Sequence, residues 1–397
     1  MKTATGILTL FLTFTFFCCT SQKTEWQGTI EEVDGVTVVK NPKEPKYGII
    51  DLALEKDLII GNEIYENFQF QSFVRVAIDN ENNIYALDYG NHRVQKFDED
   101  GKFLLSFGKE GQGPGDLNRP SKYFLNERGE STILDSQLII KIFSSEGLIQ
   151  NTIKLKNRIS DFFINSIGNI FTHYSFRDEE NNVKRTVIKL DTAGNIIERY
   201  IEFTELKTSH SIKDGEMTFT FGMHNPFAPV FCFSPYGSDG FCYGFSSKYE
   251  VYVRDSSGKL LYIIQKEGDA LPIHNHEKED LIKGAEQRNP KIPKNLLRNA
   301  INFPPHKPFF NKILTDNMSR IYIRKFGAIT ESDDIKFYEF DLFSPNGYFL
   351  YKIRMPFVPQ VIKNGFLYQV DSNLDTGEIK IIRFRINNWN QIKTGIN

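Results

Sequence analysis

Between residues 73 and 107 the apolar residues arrive in four short bursts: Phe73–Asp79, Asn83–Asp88, Arg93–Asp98 and Lys102–Phe107. Each burst is rich in Val, Ile, Leu, Phe or Tyr, and "NEN", "YGNH" and "EDG" separate them. Short β-branched and aromatic runs divided by Asn, Asp and Gly predict strands joined by tight turns. Four antiparallel strands in about 35 residues form one blade of a β-propeller.

The second burst, with the turn before it, recurs along the chain. Its copies are "NENNIYALD" (80–88), "NERGESTILD" (126–135), "NSIGNIFTHY" (165–174), "YGSDGFCYG" (236–244), "TDNMSRIYIRKF" (315–326) and "VIKNGFLYQVD" (361–371). Six copies predict six blades. The hairpin of third and fourth strands recurs five times, as "VQKFDEDGKFLLSF", "IKIFSSEGLIQNTI", "VIKLDTAGNIIERY", "VYVRDSSGKLLYII" and "FYEFDLFSPNGYFLYKI". In most of these copies an Asp or Ser stands two or three residues before a Gly, as a turn with a residue at positive φ requires.

The sixth such hairpin is incomplete. After "IKIIRFRI" (379–386) no fourth strand follows, while "YGIIDLALEKDLIIG" (47–61) is strand-like and precedes the first blade. A ring without an open edge needs its last blade completed from the other terminus. Residues of about 47–55 are therefore expected as the outer strand beside 379–386. The fold class is all-β: a six-bladed β-propeller over residues 46–397, closed by an N-terminal strand.

Two spacings between repeats are long, placing insertions at about 201–228 and 268–306. Within the second, "EKEDLIKGAEQR" (277–288) opens on acidic residues and "PKNLLRNAI" (293–301) opens on Pro293, so a short helical insertion is expected.

Residues 1–19, "MKTATGILTLFLTFTFFCC", have one early Lys and then an apolar run too short to span a bilayer, which suits a secretory signal peptide. The segment resembles a bacterial lipoprotein signal, although Phe16 and Phe17 depart from the usual residues before the acceptor cysteine. The resemblance implies lipidation at Cys19, with Cys18 as the small residue before it. Residues 20–45 read as a tether of roughly 28 Å root-mean-square reach if flexible. A cell-envelope location follows, with membrane attachment only through the N-terminus.

Composition adds little beyond this. Aromatics make up 14% of the chain, in keeping with strand packing, and a net charge of −2 argues against nucleic acid as a partner. Cys232 and Cys242 flank a turn in "FCFSPYGSDGFCY"; an oxidising compartment permits a disulfide there, but cysteine is also a common small core residue, and free core thiols are the favoured reading.

"GNHRVQKFDEDGKFLLSFG" resembles the NHL repeat, named partly for the pair seen here as Asn91-His92. "DNENNIYALDYGNHRVQKFDEDGKFLLSFGKEGQGPGDLNRP" and "HKPFFNKILTDNMSRIYI" are similar to the exported six-bladed propeller proteins common in Bacteroidetes-like bacteria. That resemblance implies fold and compartment far more than activity.

Asp88-Tyr-Gly-Asn-His92 is similar in form to a zinc-ligand segment of peptidyl-hydroxyglycine amidating lyases. That family's zinc also needs histidines from other blades, and blades two, five and six offer none at matching places. His92 is kept as a candidate ligand contact, on a loop expected at the channel mouth. Arg119, His224 and His306 are candidates for the same face, where they would make a mildly basic mouth for an anionic or sugar-like ligand. "GKEGQGPG" lacks the order of a phosphate-binding loop, and "HNHEKED" (274–280) reads as a helix start rather than a metal site. No Gly-x-Ser-x-Gly elbow is present. No cofactor is expected, calcium or zinc being the only ions entertained. The expected function is a monomeric binding or scaffold module for a small molecule, a glycan or a protein. The alternatives are a metal-assisted propeller lyase or lactonase and a structural part of an outer-membrane uptake complex.

Overall fold

The computed structural model describes residues 25–61, 69–206, 209–214, 217–222, 225–332, 335–373 and 375–396. Six antiparallel sheets are arranged as a ring, and the innermost strands touch in sequence: 74–78, 120–125, 161–164, 231–236, 310–315, 361–363 and back to 74–78. The chain is an all-β six-bladed propeller. Blade one consists of Val74–Ile78, Ile84–Asp88, Arg93–Phe97 and Phe103–Phe107, close to the four expected bursts.

Burial explains why the second strand was the most legible repeat. Every residue of Ile84–Asp88, Ser131–Asp135 and Gly240–Phe245 is buried, because a middle strand is covered by both neighbouring blades. Such strands read as unbroken apolar runs. Outer strands such as Phe103–Phe107 have one wet face and alternate.

The five hairpin turns share one device. Asp98 Oδ1 accepts from the backbone N–H of Asp100 (3.1 Å) and Lys102 (2.8 Å), and Gly101 takes φ +83°. Asp191 and Asp255 repeat these bonds, and the Ser144 and Ser344 hydroxyls substitute for the carboxylate. The glycines of those turns also have positive φ. A side-chain acceptor on the turn amides and a Gly at positive φ fix the register of each outer pair.

Ring closure does come from the N-terminal side, but with a different segment. Leu54–Ile60 pairs antiparallel with Ile379–Ile386, joining Ile60 to Ile381 and Leu54 to Ile386. Ile49–Asp51, which was expected to start that strand, instead adds parallel to Phe349–Met355 at the rim of blade five. Gln360 bridges the same seam on the inside, donating to Val74 O and accepting from Val76 N, both at 2.9 Å.

Residues 29–41 are not a tether. Thr29–Val33 and Val36–Asn41 form a hairpin about an Asp34-Gly35 turn, and the second strand extends blade four, parallel to Leu260–Lys266. Asn41 pins it there. This buried amide donates to Gly347 O (2.9 Å) and Gln265 O (3.2 Å) and accepts from Phe349 N (2.7 Å).

The first insertion begins later than expected, since Ile196–Thr204 is the outer strand of blade three; beyond it lies a hairpin of Ser209–Asp214 and Met217–Gly222. The second carries helices α1 (Asn275–Arg288) and α2 (Lys294–Ala300), which bury Ile282, Ala285 and Leu297 against each other. The backbone of α2 lies against strand 209–214, so the two insertions meet.

Cys232 and Cys242 are buried free thiols, not a disulfide. They share a hairpin, but Cys232 stands opposite Gly244 and Cys242 opposite Ser234. That diagonal offset sets their Cα atoms about 7–8 Å apart, beyond ordinary disulfide reach. Both pack in the core between blades four and five, where burial pushes the Cys232 thiol up to about 12.

Candidate functional site

A propeller has two faces. Turns between first and second strands, and the five hairpin turns, lie on one; loops between second and third strands and all blade-to-blade connections lie on the other. The second face, here called the connection face, therefore carries both insertions and the loops that hold His92, Arg119 and His306.

On that face the loop containing His92 is held by its own backbone and by its neighbours. Asp88, fully buried, accepts from Asn91 Nδ2 (2.7 Å) and the Gln71 backbone N–H (3.1 Å), with Arg93 Nε 3.8 Å away. His92 takes φ +53°, and its Nδ1 lies 2.9 Å from Leu117 O in the connection to blade two. The Asp-x-x-x-His segment thus ties two loops together, and His92 does not line the axial cavity. Asp135 does the same in blade two, accepting from the backbone N–H of Asn118 and Arg119.

The other candidates do not converge with it. The Arg119 side chain is exposed. His306 bonds Lys307 O at 2.8 Å and stands edge-on to Phe309. His224 and Cys19 lie outside the described residues. Among the described residues no three His, Cys, Asp or Glu side chains come together as a metal cluster.

What the fold does build is an axial cavity of roughly 660 Å³, to which the inner edges of all six blades contribute. Its walls are apolar and aromatic on the inner strands, with Ala77, Tyr123, Phe124, Phe163 and Leu314. Toward the turn face the lining becomes amide-rich, with Asn80, Asn126, Asn317 and Asn364 beside Glu127 and Lys363. The first-to-second turns supply these groups and order them. Asn364 donates through Nδ2 to Asn82 Oδ1 (2.6 Å) and through its backbone N–H to Asn317 Oδ1 (2.8 Å). Lys363 Nζ donates to Ile78 O (3.0 Å) and Asn80 Oδ1 (3.1 Å), and burial lowers its proton affinity. A chamber whose inner-strand walls are apolar and whose turn-face lining is polar can hold a small polar ligand.

Just outside this chamber, toward the connection face, the inner strands carry charge. Arg75 precedes Val76, Lys122 precedes Tyr123, and Lys312 stands two residues before Leu314. Lys122 pairs with Asp161 at 3.3 Å. The Lys312 ammonium donates to Pro359 O (2.9 Å); burial, then Arg75 and Arg324, push it down to about 8. Arg324, directly across the ladder from Lys312, lies over the Tyr338 ring at 4.5 Å, and its buried Nε has no hydrogen-bond partner. No sequence motif marks these residues: Arg75, Lys122 and Lys312 are each the single basic residue of an inner strand, Arg324 sits beside Lys325 in the strand paired with Lys312, and ring closure brings the blades' contributions together.

His173 was also missed. It is buried in blade three, its Nδ1 is 2.6 Å from Arg185 Nη1, and Arg185 pairs with Glu205 at 2.6 Å. Burial first, then Arg185 and Lys122, hold its proton affinity well below the ordinary value, so the folded protein keeps the ring neutral. The unfolded chain takes up a proton near pH 6.5 that the folded chain refuses. Stability should therefore be full above pH 6.5 and fall as the pH drops below it. A His173→Gln variant should show a shallower fall in urea midpoint between pH 7.5 and 5 than the wild type; parallel curves would refute this.

The comparisons agree with this fold. Residues 60–231 match the family model DUF5128, described as a 6-bladed beta-propeller. No curated protein matches the sequence. Among solved structures, a protein from Bacteroides fragilis described as exported aligns over 88% of this chain and 99% of its own, at 11% identity and TM-score 0.51. A member of the duf4221 family from Bacteroides vulgatus aligns over 84% and 97%, at 11% identity and TM-score 0.48. Virginiamycin B lyase from Staphylococcus aureus aligns over 84% and 99%, at 10% identity and TM-score 0.40. The likeness to the Bacteroides fragilis protein speaks for the fold alone.

Proposed function

We propose that this protein is an exported, lipid-anchored binding module of the cell envelope, built on NHL-type repeats, that captures a small polar ligand in its axial channel. The observation that carries the reading is the chamber itself. Six blades converge on one cavity of roughly 660 Å³ with aromatic walls and a rim of ordered amides. A rigid ring holds such a rim in place without reorganisation, so little ordering entropy is lost on binding.

The apolar run ending at Cys18-Cys19 supports the exported, anchored half of the reading. No helix among the described residues is long and apolar enough to cross a membrane. Cys19→Ser should move the protein from the membrane fraction to the soluble fraction of the envelope.

The binding half is tested with Ala77→Trp, which places an indole in the chamber from an inner strand. Sugars, sugar acids and short peptides are screened by equilibrium dialysis against the full chain. At least one should bind saturably to the wild type and at least tenfold more weakly to the variant. Equal binding by both proteins would remove the channel from the function.

A further inference from the structure

The charged level of the channel goes further than the chamber below it. Arg75 and Lys312 stand on the inner strands of blades one and five, with Arg324 on the strand beside Lys312, and among the described residues none of them has a carboxylate partner within 4.0 Å. The acid on this level, Asp161, is already paired with Lys122. The Arg324 Nε points at no acceptor although it is shielded from solvent.

Three half-buried cations that repel one another are unfavourable on their own, and an opposite charge placed between them relieves that repulsion. Several buried cations elsewhere in this protein have such a counter-charge: Arg320 has Asp316, Arg383 has Asp57 and Lys266 has Asp341. Among the described residues Arg75, Lys312 and Arg324 receive no such carboxylate.

Resting on the reading of the channel as the ligand site, we propose that this level binds the oxyanion head group, carboxylate, phosphate or sulfate, of the channel's ligand. Guanidinium groups suit such oxyanions through paired N–H donors, and Lys312 adds a point charge. The ligand is then an anionic polar molecule, its head group on Arg75, Lys312 and Arg324 and its uncharged part in the chamber lined by amides and aromatic rings.

The test uses inorganic phosphate as the probe and the full chain. Melting temperature is followed against phosphate concentration, with sodium chloride matching the ionic strength. Phosphate raises the melting temperature of any protein roughly linearly by exclusion from its surface. The wild type should show in addition a saturating rise of several degrees. That saturating part should disappear in Lys312→Met and in Arg75→Gln. Lys312→Met removes a buried charge and should remain folded; Arg75→Gln keeps a polar donor in place. A purely linear wild-type response, or an unchanged saturating part in both variants, would overturn the proposal. The two readings also fail separately. If Ala77→Trp abolishes binding of a neutral ligand while phosphate gives only the linear response, the channel stands and the oxyanion level falls. If phosphate saturates but Ala77→Trp changes no ligand's affinity, the oxyanion level stands and the chamber falls.

Discussion

Arg320→Ala should lower the free energy of unfolding by about 3–5 kcal/mol, the range for leaving one half of a buried ion pair behind. Arg320 is fully buried in the first turn of blade five. It donates through Nε to Asp316 Oδ2 (2.7 Å) and through Nη1 to Ile392 O (3.2 Å), and its guanidinium lies 4.0 Å from the centre of the Trp389 ring. Asp316 meanwhile accepts from the Met318 and Arg320 backbone N–H groups and from the Tyr322 hydroxyl. One side chain thus joins the turn, the carboxylate and the C-terminal segment beyond the last strand. Removing it strands a buried carboxylate and frees residues 389–392. The double variant Asp316→Leu/Arg320→Met should recover part of the loss, because no charge is then left unpaired. Urea denaturation followed by tyrosine and tryptophan fluorescence measures both. A loss under about 1 kcal/mol for the single variant would show that the pair is exchangeable with water.

The second large effect concerns the closing strand. Removing residues 1–60 should leave a chain that does not fold into a soluble monomer, because the deleted stabilisation is comparable to the whole stability of about 5–15 kcal/mol. Leu54–Ile60 covers the edge of Ile379–Ile386, buries Ile60 and carries Asp57, which Arg383 grips at 3.0 and 3.1 Å. Without it, strand 379–386 presents an unpaired edge, and Arg383 loses its carboxylate partner. A peptide of residues 47–61 supplied in trans should restore a monomer on size-exclusion chromatography. A truncated chain that folds alone with an unchanged melting temperature would mean that closure does not depend on this strand.

The fate of this segment also shows how far the sequence could be read. "YGIIDLALEKDLIIG" has two apolar halves, Ile49-Ile50 and Leu58-Ile59-Ile60, and each half found an edge. Which edge takes which half depends on partners about 300 residues away, which no local pattern encodes. "DGVTVV" at residues 34–39 carries a hairpin turn, but its place behind a signal peptide gives it the look of a linker.

Turn chemistry carried the rest of the fold. Asp98, Asp191 and Asp255 bond their own turns, so their spacing from a Gly is a local fact that survives in the sequence. The site was much less legible, for the opposite reason. His92 drew attention because it sits in a dense polar cluster, yet that density serves the loop itself, with Asp88 occupied by Asn91 and Gln71. Arg75 and Lys312 are single basic residues in apolar strands, and Arg75 reaches the Lys312–Arg324 pair of blade five only when the ring closes.

Native mass spectrometry of the full chain, released in mild detergent from the envelope in which it was made, asks most directly whether the channel is the working part. The account predicts a single bound small molecule per protein, negatively charged when released, and absent from Ala77→Trp prepared in the same way. The same adducts on both proteins, or a bare wild type beside a stably folded variant, would contradict it.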